Sequence, residues 1–193
     1  MTNDKTELRV KENTQIRIAM SGPSGCGNTT VSTLLAKTLG IDCINYTFRN
    51  LAAELNIPFT ELLQKARTDF SFDKMLDKKQ IELASKKSCV LGSRLAVWLL
   101  DSADLRVYLQ AGIDTRAKRI QTREGGSLEK IKEVTDMRDL EDSRRYKELY
   151  GIDNRNFAFA DLIIDTEKNN PEQIVAIILN ELHKRGLVCK KTD

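Results

Sequence analysis

Apolar residues alternate along one stretch near the start of the chain and then recur with a helical period. Ile16, Ile18 and Met20 occupy every second position, which is typical of one face of a β-strand. Four apolar residues at helical spacing follow: Val31, Leu34, Leu35 and Leu39. The pattern predicts a strand that leads directly into a helix, and Gly40 is expected to end that helix.

Short apolar runs and helix-period segments alternate along the rest of the chain. Four further strands are predicted, over residues 41–45, 88–92, 105–109 and 162–165. Helical patterns separate them, including a long helix from Ser127 to about Tyr150 and a last helix that begins at Asn170-Pro171. This alternation favours a three-layer α/β fold, with a five-stranded parallel sheet and helices on both faces. In such sheets ligands bind beyond the carboxyl ends of the strands.

Composition narrows the class of protein. With 193 residues, 40% hydrophobic and 31% charged, the chain fits one globular domain, and its polar residues 1–14 are expected to form a flexible tail. A net charge of +3 does not require a nucleic-acid partner. The sequence has no apolar run of about 18 residues, so no membrane span is predicted. Four cysteines without paired metal spacing suggest reduced thiols. We therefore expect a cytoplasmic protein, monomeric, with small-molecule partners.

The segment between the first strand and its helix is rich in glycine and hydroxyl groups. Its residues are Gly22, Pro23, Ser24, Gly25, Cys26, Gly27, Asn28, Thr29 and Thr30. Glycines let the backbone approach a ligand closely, and the loop N–H groups with the helix N-terminus attract an anion. A strand, a glycine loop and a helix in this order predict a phosphate-binding loop. Thr29 stands where such loops place a hydroxyl on Mg²⁺.

Asn28 stands where such loops usually carry a lysine. The common motif is G-x-x-x-x-G-K-S/T, and this chain has G-P-S-G-C-G-N-T. Two unit charges about 4 Å apart interact by roughly 4 kcal/mol at an effective dielectric of 20. Losing half of that from a transition state costs about one to two powers of ten in rate. Either other cations replace the lysine, or the site binds nucleotide and catalyses poorly.

Arginines are the obvious candidates for replacement cations. Arg49 and Arg94 each follow a predicted strand, and an arginine fork matches a phosphate in bidentate geometry. A surface ion pair would explain each one alone. Beside a phosphate-binding loop, the two suggest a clamp for a second phosphate.

A second group of arginines lies on two helices joined by a glycine pair at residues 125–126. The first helix carries Arg116, Arg119 and Arg123. The second carries Arg138, Asp142 and Arg145, which share one face. An exposed helix laced with ion pairs is the alternative. We interpret the pair as a lid that closes on a polyphosphate, expels water and supplies cations.

Two acidic residues on another predicted helix complete the candidates. Asp73 and Asp77 are one turn apart, so they share a face. They are candidates to hydrogen-bond a base or a sugar, and a solvated helix face is the alternative.

Taken together in order, these segments resemble the cytidylate kinases of the short archaeal-type branch, which also occurs in some bacteria. The resemblance covers nearly the whole chain after residue 15. It rests on the glycine loop, on Phe48-Arg49, on DKMLDKKQ (73–80), VLGSRLA (90–96) with Trp98, RIQTREG (119–125), RRYKELYGID (144–153) and DLIIDT (161–166).

The resemblance implies a P-loop core with a nucleoside-monophosphate-binding insertion at residues 46–87 and a lid at 114–150. It implies transfer of the γ-phosphoryl group of ATP to CMP or dCMP, with Mg²⁺. Arg49 and Arg94 resemble the acceptor-phosphate arginines. The lid set R-x-x-x-D/E-x-x-R, which contacts phosphate and sugar, corresponds to Arg138, Asp142 and Arg145. The arginines expected to cover the transferring group are Arg119, Arg123, Arg138 and Arg145.

Two positions depart from common patterns. The branch itself lacks the loop lysine and usually carries threonine at that position. The absence of lysine is therefore shared with the branch, and only the asparagine is particular to this chain. Before Arg94 the family usually has Glu-Gly or Asp-Gly, whereas this chain has Gly92-Ser93. Two alternatives remain: a kinase for another small acceptor (AMP, UMP or dephospho-coenzyme A), and a nucleotide-binding module with weak or no catalysis.

Overall fold

Five parallel strands form the centre of the molecule in a computed structural model that describes residues 8–190. The strands of the described chain are β1 (Leu8–Val10), β2 (Arg17–Ser21), β3 (Asp42–Ile44), β4 (Cys89–Gly92), β5 (Leu105–Gln110), β6 (Leu162–Asp165) and β7 (Val188–Lys190). The central sheet has the order β3-β4-β2-β5-β6, with every neighbouring pair parallel. The predicted five-stranded parallel sheet is confirmed.

Helices cover both faces of this sheet. They are α1 (Asn28–Leu39), α2 (Phe48–Glu54), α3 (Phe59–Lys65), α4 (Ser71–Ser85), α5 (Ala96–Leu99), α6 (Ile113–Glu124), α7 (Leu128–Tyr150) and α8 (Pro171–Lys184). Alternate residues of β2 face opposite sides, because side chains alternate along a strand. Ile18 and Met20 pack against α1 and α8, whereas Ala19 belongs to the cluster with α4 and α5. A strand buried on both faces is typical of parallel sheets.

The helix ends explain why the elements stop where the sequence predicts. Gly40 has φ +66° and its N–H donates to the last turn of α1. Ser127 accepts a hydrogen bond from the Lys130 N–H at the start of α7. Asn170 forms a capping box with Gln173 at the start of α8. These three predicted ends are confirmed.

The beginning of the chain differs from the prediction. Leu8–Val10 is an antiparallel partner of Val188–Lys190, with Val10 opposite Val188. Leu8 and Val10 also pack against the core cluster, so the predicted flexible tail is wrong for these residues. A three-residue strand is too short for its own pattern to show, and its partner lies at the other end of the sequence. Residues 1–7 of the predicted tail lie outside the described residues.

Helices α2–α4 lie between β3 and β4 and share a small hydrophobic cluster of their own, around Leu51, Ala52 and Leu62. The cluster packs these helices on one another, and α4 also contacts β3 and β4. These helices fall within residues 46–87, where the sequence predicts an insertion.

Candidate active site

The glycine-rich loop follows the carboxyl end of β2 and leads into α1. Gly25 has φ +82°, and a Cβ at that position would lie 2.9 Å from the Arg116 carbonyl oxygen, so a side chain does not fit. Gly27 is the N-cap of α1 and makes no side-chain capping bond. The first N–H groups of α1 are therefore left for a ligand, in the geometry that binds phosphate.

The side chains of this loop divide into two groups. Cys26 is buried beneath the loop, so it offers a ligand only its backbone. Thr29 and Thr30 are exposed at the first turn of α1, and the Thr29 hydroxyl has no hydrogen-bond partner among residues 8–190. The structure thus leaves the hydroxyl of Thr29 available, as the sequence predicts for a Mg²⁺ ligand.

Asn28, which replaces the usual lysine, turns inward rather than toward the loop. Its amide nitrogen donates to the Met20 carbonyl at 3.2 Å, and its amide oxygen accepts from the Ser32 hydroxyl at 3.0 Å. Both partners belong to the elements that flank the loop. Asn28 thus stabilises the join between β2 and α1, and its polar atoms are used within the protein.

Gly92 lies beside this hydrogen-bonded pair. A Cβ there would come within 2.6 Å of the Ser32 hydroxyl and 3.4 Å of the Asn28 amide oxygen. A side chain at Gly92, where the family resemblance implies a carboxylate, would therefore require Ser32 to move. Asn28, Ser32 and Gly92 are adjusted to one another, which connects the two departures seen in the sequence.

A cleft of about 640 Å³ opens between the loop, α4, the end of β4 and α7. The predicted site residues that line it beyond the loop are Asp73, Asp77, Arg94, Arg123, Arg138, Asp142 and Arg145. They come from four separate parts of the chain, so the fold brings together groups that the sequence only suggested as partners. Its size is within the range of small-molecule sites.

Two of the arginines in this cleft form ion pairs with carboxylates. Arg94 forms an ion pair with Asp142 of α7. Arg145 of α7 pairs with Asp73 of α4, with Nη1 at 2.9 Å from Oδ1. These contacts hold α7 against the helices on the other side of the cleft, and they present arginines where an anion would bind.

Tyr150, which the sequence did not single out, adds a second contact between α7 and α4. Its hydroxyl donates to Asp77 Oδ2 at 2.8 Å. Burial raises the pKa of Asp77 to about 6, although the Tyr150 hydrogen bond acts in the opposite direction. Arg138 is exposed and has no ion pair within the described chain, so its guanidinium is available to a ligand.

Arg119 takes a position different from the one predicted. Its guanidinium donates to the Thr166 hydroxyl at 2.8 Å and to the Thr166 carbonyl at 2.7 Å. It lines a second pocket, of about 580 Å³, on the α6 side of the loop. Arg123 borders both this pocket and the cleft. Its Nη1 also donates to the Gly25 and Cys26 carbonyl oxygens, each at 3.5 Å, so Arg119 links the loop to the segment after β6, and it does not line the cleft.

Arg116 has a contact that the sequence did not reveal. It is 7% exposed, and it donates to the Ser24 carbonyl of the loop at 3.1 Å. Its Nη2 lies 2.7 Å from Asp139 Oδ2 of α7. This buried arginine therefore connects the loop to α7, a role that depends on a packing that helical spacing does not encode.

Arg49 lies outside the lining of the cleft. It is exposed on α2, and its guanidinium carbon is 4.2 Å from the centre of the Phe59 ring. Such a cation–π contact is worth about 0.5–1 kcal/mol at an exposed site. The structure therefore brings Arg94 to the cleft but not its predicted companion.

This architecture defines a class before it defines a family. The sheet is parallel, its glycine-rich loop can bind phosphate at the start of the following helix, and a neighbouring helical hairpin carries arginines. This combination is characteristic of the P-loop kinases. The chain belongs to the cytidylate kinase-like family, whose model matches residues 17–168.

Named relatives agree over most of their lengths. The chain is 46% identical over 176 residues to cytidylate kinase 2 of Borreliella burgdorferi, covering 89% of this chain and 98% of that protein. It is 37% identical over 175 residues to the cytidylate kinase of Archaeoglobus fulgidus, covering 89% and 97% respectively.

Solved structures support the fold. The shikimate kinase of Acinetobacter baumannii superposes with a TM-score of 0.62 at 20% identity, over 90% of this chain and 96% of that one. The deoxyadenosine kinase of M. mycoides gives a TM-score of 0.54 at 15% identity, over 88% and 99%. At these identities the likeness shows the fold alone.

Two features are absent from the described residues. No helix among them has both the length and the hydropathy needed to cross a bilayer. No group of three or more histidine, cysteine or acidic side chains among them is arranged to hold a metal ion.

Proposed function

We propose that the protein is a nucleoside monophosphate kinase that transfers the γ-phosphoryl group of ATP to CMP or dCMP, giving ADP and CDP or dCDP. The observation that carries the proposal is the single cleft onto which the phosphate-binding loop, Arg94, Arg138 and Arg145 all open. Family membership and relatives named cytidylate kinase support the choice of acceptor.

Phosphoryl transfer needs positioning and charge neutralisation more than covalent chemistry. The loop N–H groups and the N-terminus of α1 would hold the donor phosphates. Arg94 would hold the acceptor phosphate once that phosphate takes the place of the Asp142 carboxylate. Arg138, Arg145 and Arg123 would surround the transferring group, and together they offset the loop lysine that Asn28 replaces.

Mg²⁺ enters this proposal through Thr29. The exposed hydroxyl at the start of α1 suits one oxygen ligand of the ion, and the phosphates of ATP would supply others. When bound, the ion neutralises phosphate charge. The protein's own part is to hold that hydroxyl at the end of the loop.

The helices around the cleft would then have separate tasks. We infer that α2–α4 are the acceptor-binding insertion, with Asp73, Asp77 and Asp142 contacting the nucleoside, and that α6–α7 are the lid. Arg49 would join the acceptor phosphate only by turning away from Phe59. Arg119 would act by holding the loop against Thr166. Four unpaired cysteines among the described residues favour a reducing, cytoplasmic setting, and we propose a monomer.

The test is a coupled ADP-release assay with purified protein, Mg²⁺, ATP and a panel of acceptors: CMP, dCMP, UMP, AMP and dephospho-coenzyme A. We expect the highest kcat/KM with CMP or dCMP. A preference for another acceptor would contradict the proposed substrate while leaving the kinase class intact. ATP binding without turnover on any acceptor would favour a nucleotide-binding module instead.

A further inference from the structure

One carboxylate oxygen in the cleft lacks a partner in the structure. Asp73 is 8% exposed, and its Oδ1 accepts a hydrogen bond from Arg145. Its Oδ2 is buried and has no hydrogen-bond partner within the described chain. An unsatisfied buried acceptor is costly, and such a group at a functional site usually meets a donor that arrives with a ligand.

Two donors at this end of the cleft are engaged with other protein groups. The Tyr150 hydroxyl donates to Asp77, and the Gln80 amide donates to the Tyr46 carbonyl at 2.7 Å. The Arg145 contact to Asp73 is made to the other oxygen of the carboxylate. The free polar atoms of the two aspartates at this end of the cleft are thus acceptors, and they match a ligand that presents N–H groups.

Pyrimidine bases differ in what they present at C4. Cytosine carries an amino group, which donates two hydrogen bonds, whereas uracil carries a carbonyl oxygen, which only accepts. A carboxylate beside that carbonyl places two acceptors against each other in a partly dry site, which is unfavourable. A site that bonds a substrate N–H therefore rejects the analogue that lacks it.

We propose that Asp73 Oδ2 accepts a hydrogen bond from the 4-amino group of the acceptor base, and so selects CMP or dCMP over UMP. The inference rests on the proposed function, since it names how that cleft chooses its acceptor. Burial raises the pKa of Asp73, and Arg145 opposes that rise while it holds the carboxylate through Oδ1. Asp77 contributes negative potential from the same face of α4. Adenine also carries an amino group. The proposed contact therefore discriminates against a base with a carbonyl at this position, such as uracil, and does not by itself discriminate against adenine.

The first test is Asp73→Asn, with kcat/KM measured for CMP and for UMP. The amide retains one acceptor for Arg145 and presents a donor toward the base. We expect the CMP/UMP ratio to fall about 10- to 100-fold, the range of one hydrogen bond to a charged group. A structural defect alone would lower both values together. An unchanged ratio would overturn the proposal.

Glu82→Gln is the matched control, because it neutralises a carboxylate of the same helix that is exposed and does not line the cleft. We expect its CMP/UMP ratio to stay within about threefold of the wild type, less than one charged hydrogen bond. The CMP/dCMP ratio of Asp73→Asn is a further check. If that ratio changes while the CMP/UMP ratio does not, Asp73 reads the sugar, and the proposal is wrong.

A second measurement needs neither turnover nor a folded variant. Calorimetric titration of the wild-type protein compares CMP with the pyrimidin-2-one ribonucleoside monophosphate, which is CMP without its 4-amino group. We expect the analogue to bind about 10- to 100-fold more weakly. Equal affinity would overturn the proposal. Absence of CMP phosphorylation in the acceptor panel would instead count against the proposed function, so the two failures are distinguishable.

Discussion

At the scale of single residues, the two unusual positions of the phosphate-binding region, Asn28 and Gly92, are explained by their contacts with each other and with Ser32. Asn28 bonds to Met20 and Ser32, and Gly92 leaves the space that this arrangement needs. The lysine of common loops extends toward phosphate, whereas Asn28 is used to join strand and helix. In the proposed function the neutralising charge comes from arginines elsewhere, and Arg94, Arg138 and Arg145 border the same cleft.

Replacement of Gly92 tests this packing. We expect Gly92→Ala to lower the free energy of unfolding by about 1–3 kcal/mol, because its Cβ would press on Ser32 in a filled site. Denaturant titration measures the change. The double variant Gly92→Ala/Ser32→Ala removes the hydroxyl at 2.6 Å and should recover part of the loss, because contacting sites couple.

Gly112→Ala is the matched control for that series. A Cβ at Gly112 would meet only the flexible carboxylate of Glu167, at 3.3 Å. We expect a loss of no more than about 1 kcal/mol, because Gly112 is exposed and is the N-cap of α6, where alanine is less favourable than glycine. If Gly92→Ala were as mild as Gly112→Ala, the site around Ser32 would not be filled, and the link between Gly92 and Asn28 would be lost.

The sequence predicts residue chemistry well where the signal is local. The glycine loop, its hydroxyls and the caps at Gly40, Ser127 and Asn170 depend on a few consecutive residues. The pairing of Arg94 with Asp142 and of Arg145 with Asp73 joins residues 48 and 72 positions apart. Helical spacing indicates which residues share a face, but it contains no information on what that face will contact.

At the scale of elements, α7 decides the shape of the cleft. It contacts α4 through Arg145 and Tyr150, the end of β4 through Asp142, and α6 through Asp139. Each of these contacts includes a charged group, and few apolar residues of α7 are buried. Polar contacts that a phosphate can replace fit the proposed role of α7 as part of a lid that opens and closes.

The two adjacent arginines of α7 give a prediction with an internal control. Arg145 lines the cleft and Arg144 is exposed on the same helix. We expect Arg145→Ala to lower kcat about 100-fold, as for the loss of one donor to a developing charge, with a smaller change in the KM for ATP. Arg144→Ala, with the same loss of charge and the same helix propensity, should leave kcat near the wild-type value. Equal effects of the two substitutions in the ADP-release assay would mean that α7 contributes only its overall charge.

At the scale of the whole molecule, the sheet was predictable and the closure of the chain was not. Strong apolar runs separated by helical patterns determine a parallel sheet, because only crossovers connect such strands. The pairing of Leu8–Val10 with Val188–Lys190 depends on α8 returning the chain beside its own beginning. Neither three-residue segment has enough periodicity to reveal this. Packing between distant segments also explains why the contacts of Arg116 with the loop and with α7 were not predicted.

The stability of the whole protein should also depend on pH through the ionisation of Asp77 in the cleft. Burial raises the pKa of this carboxyl to about 6, whereas the unfolded chain loses the proton near pH 4. The folded state therefore binds one more proton between these values. The corresponding stabilisation is complete below about pH 4 and is lost as the pH rises through 6. Asp77→Asn cannot titrate, so its stability relative to the wild type should rise across this interval by about 2–3 kcal/mol.

Urea titrations at pH values from about 4 to 7.5 measure this difference. The variant Tyr150→Phe tests what determines the pH at which the stabilisation is lost. The Tyr150 hydroxyl lowers the pKa of Asp77 by hydrogen bonding, so its removal should raise that pKa and move the loss of stability to higher pH. The two variants must then shift the curve in different ways: Asp77→Asn removes the dependence, and Tyr150→Phe displaces it. Parallel stability curves for the wild type and Asp77→Asn would mean that the Asp77 carboxyl is not desolvated. The contact between α4 and α7 would then be open to water in solution, and the lid would rest away from the acceptor site.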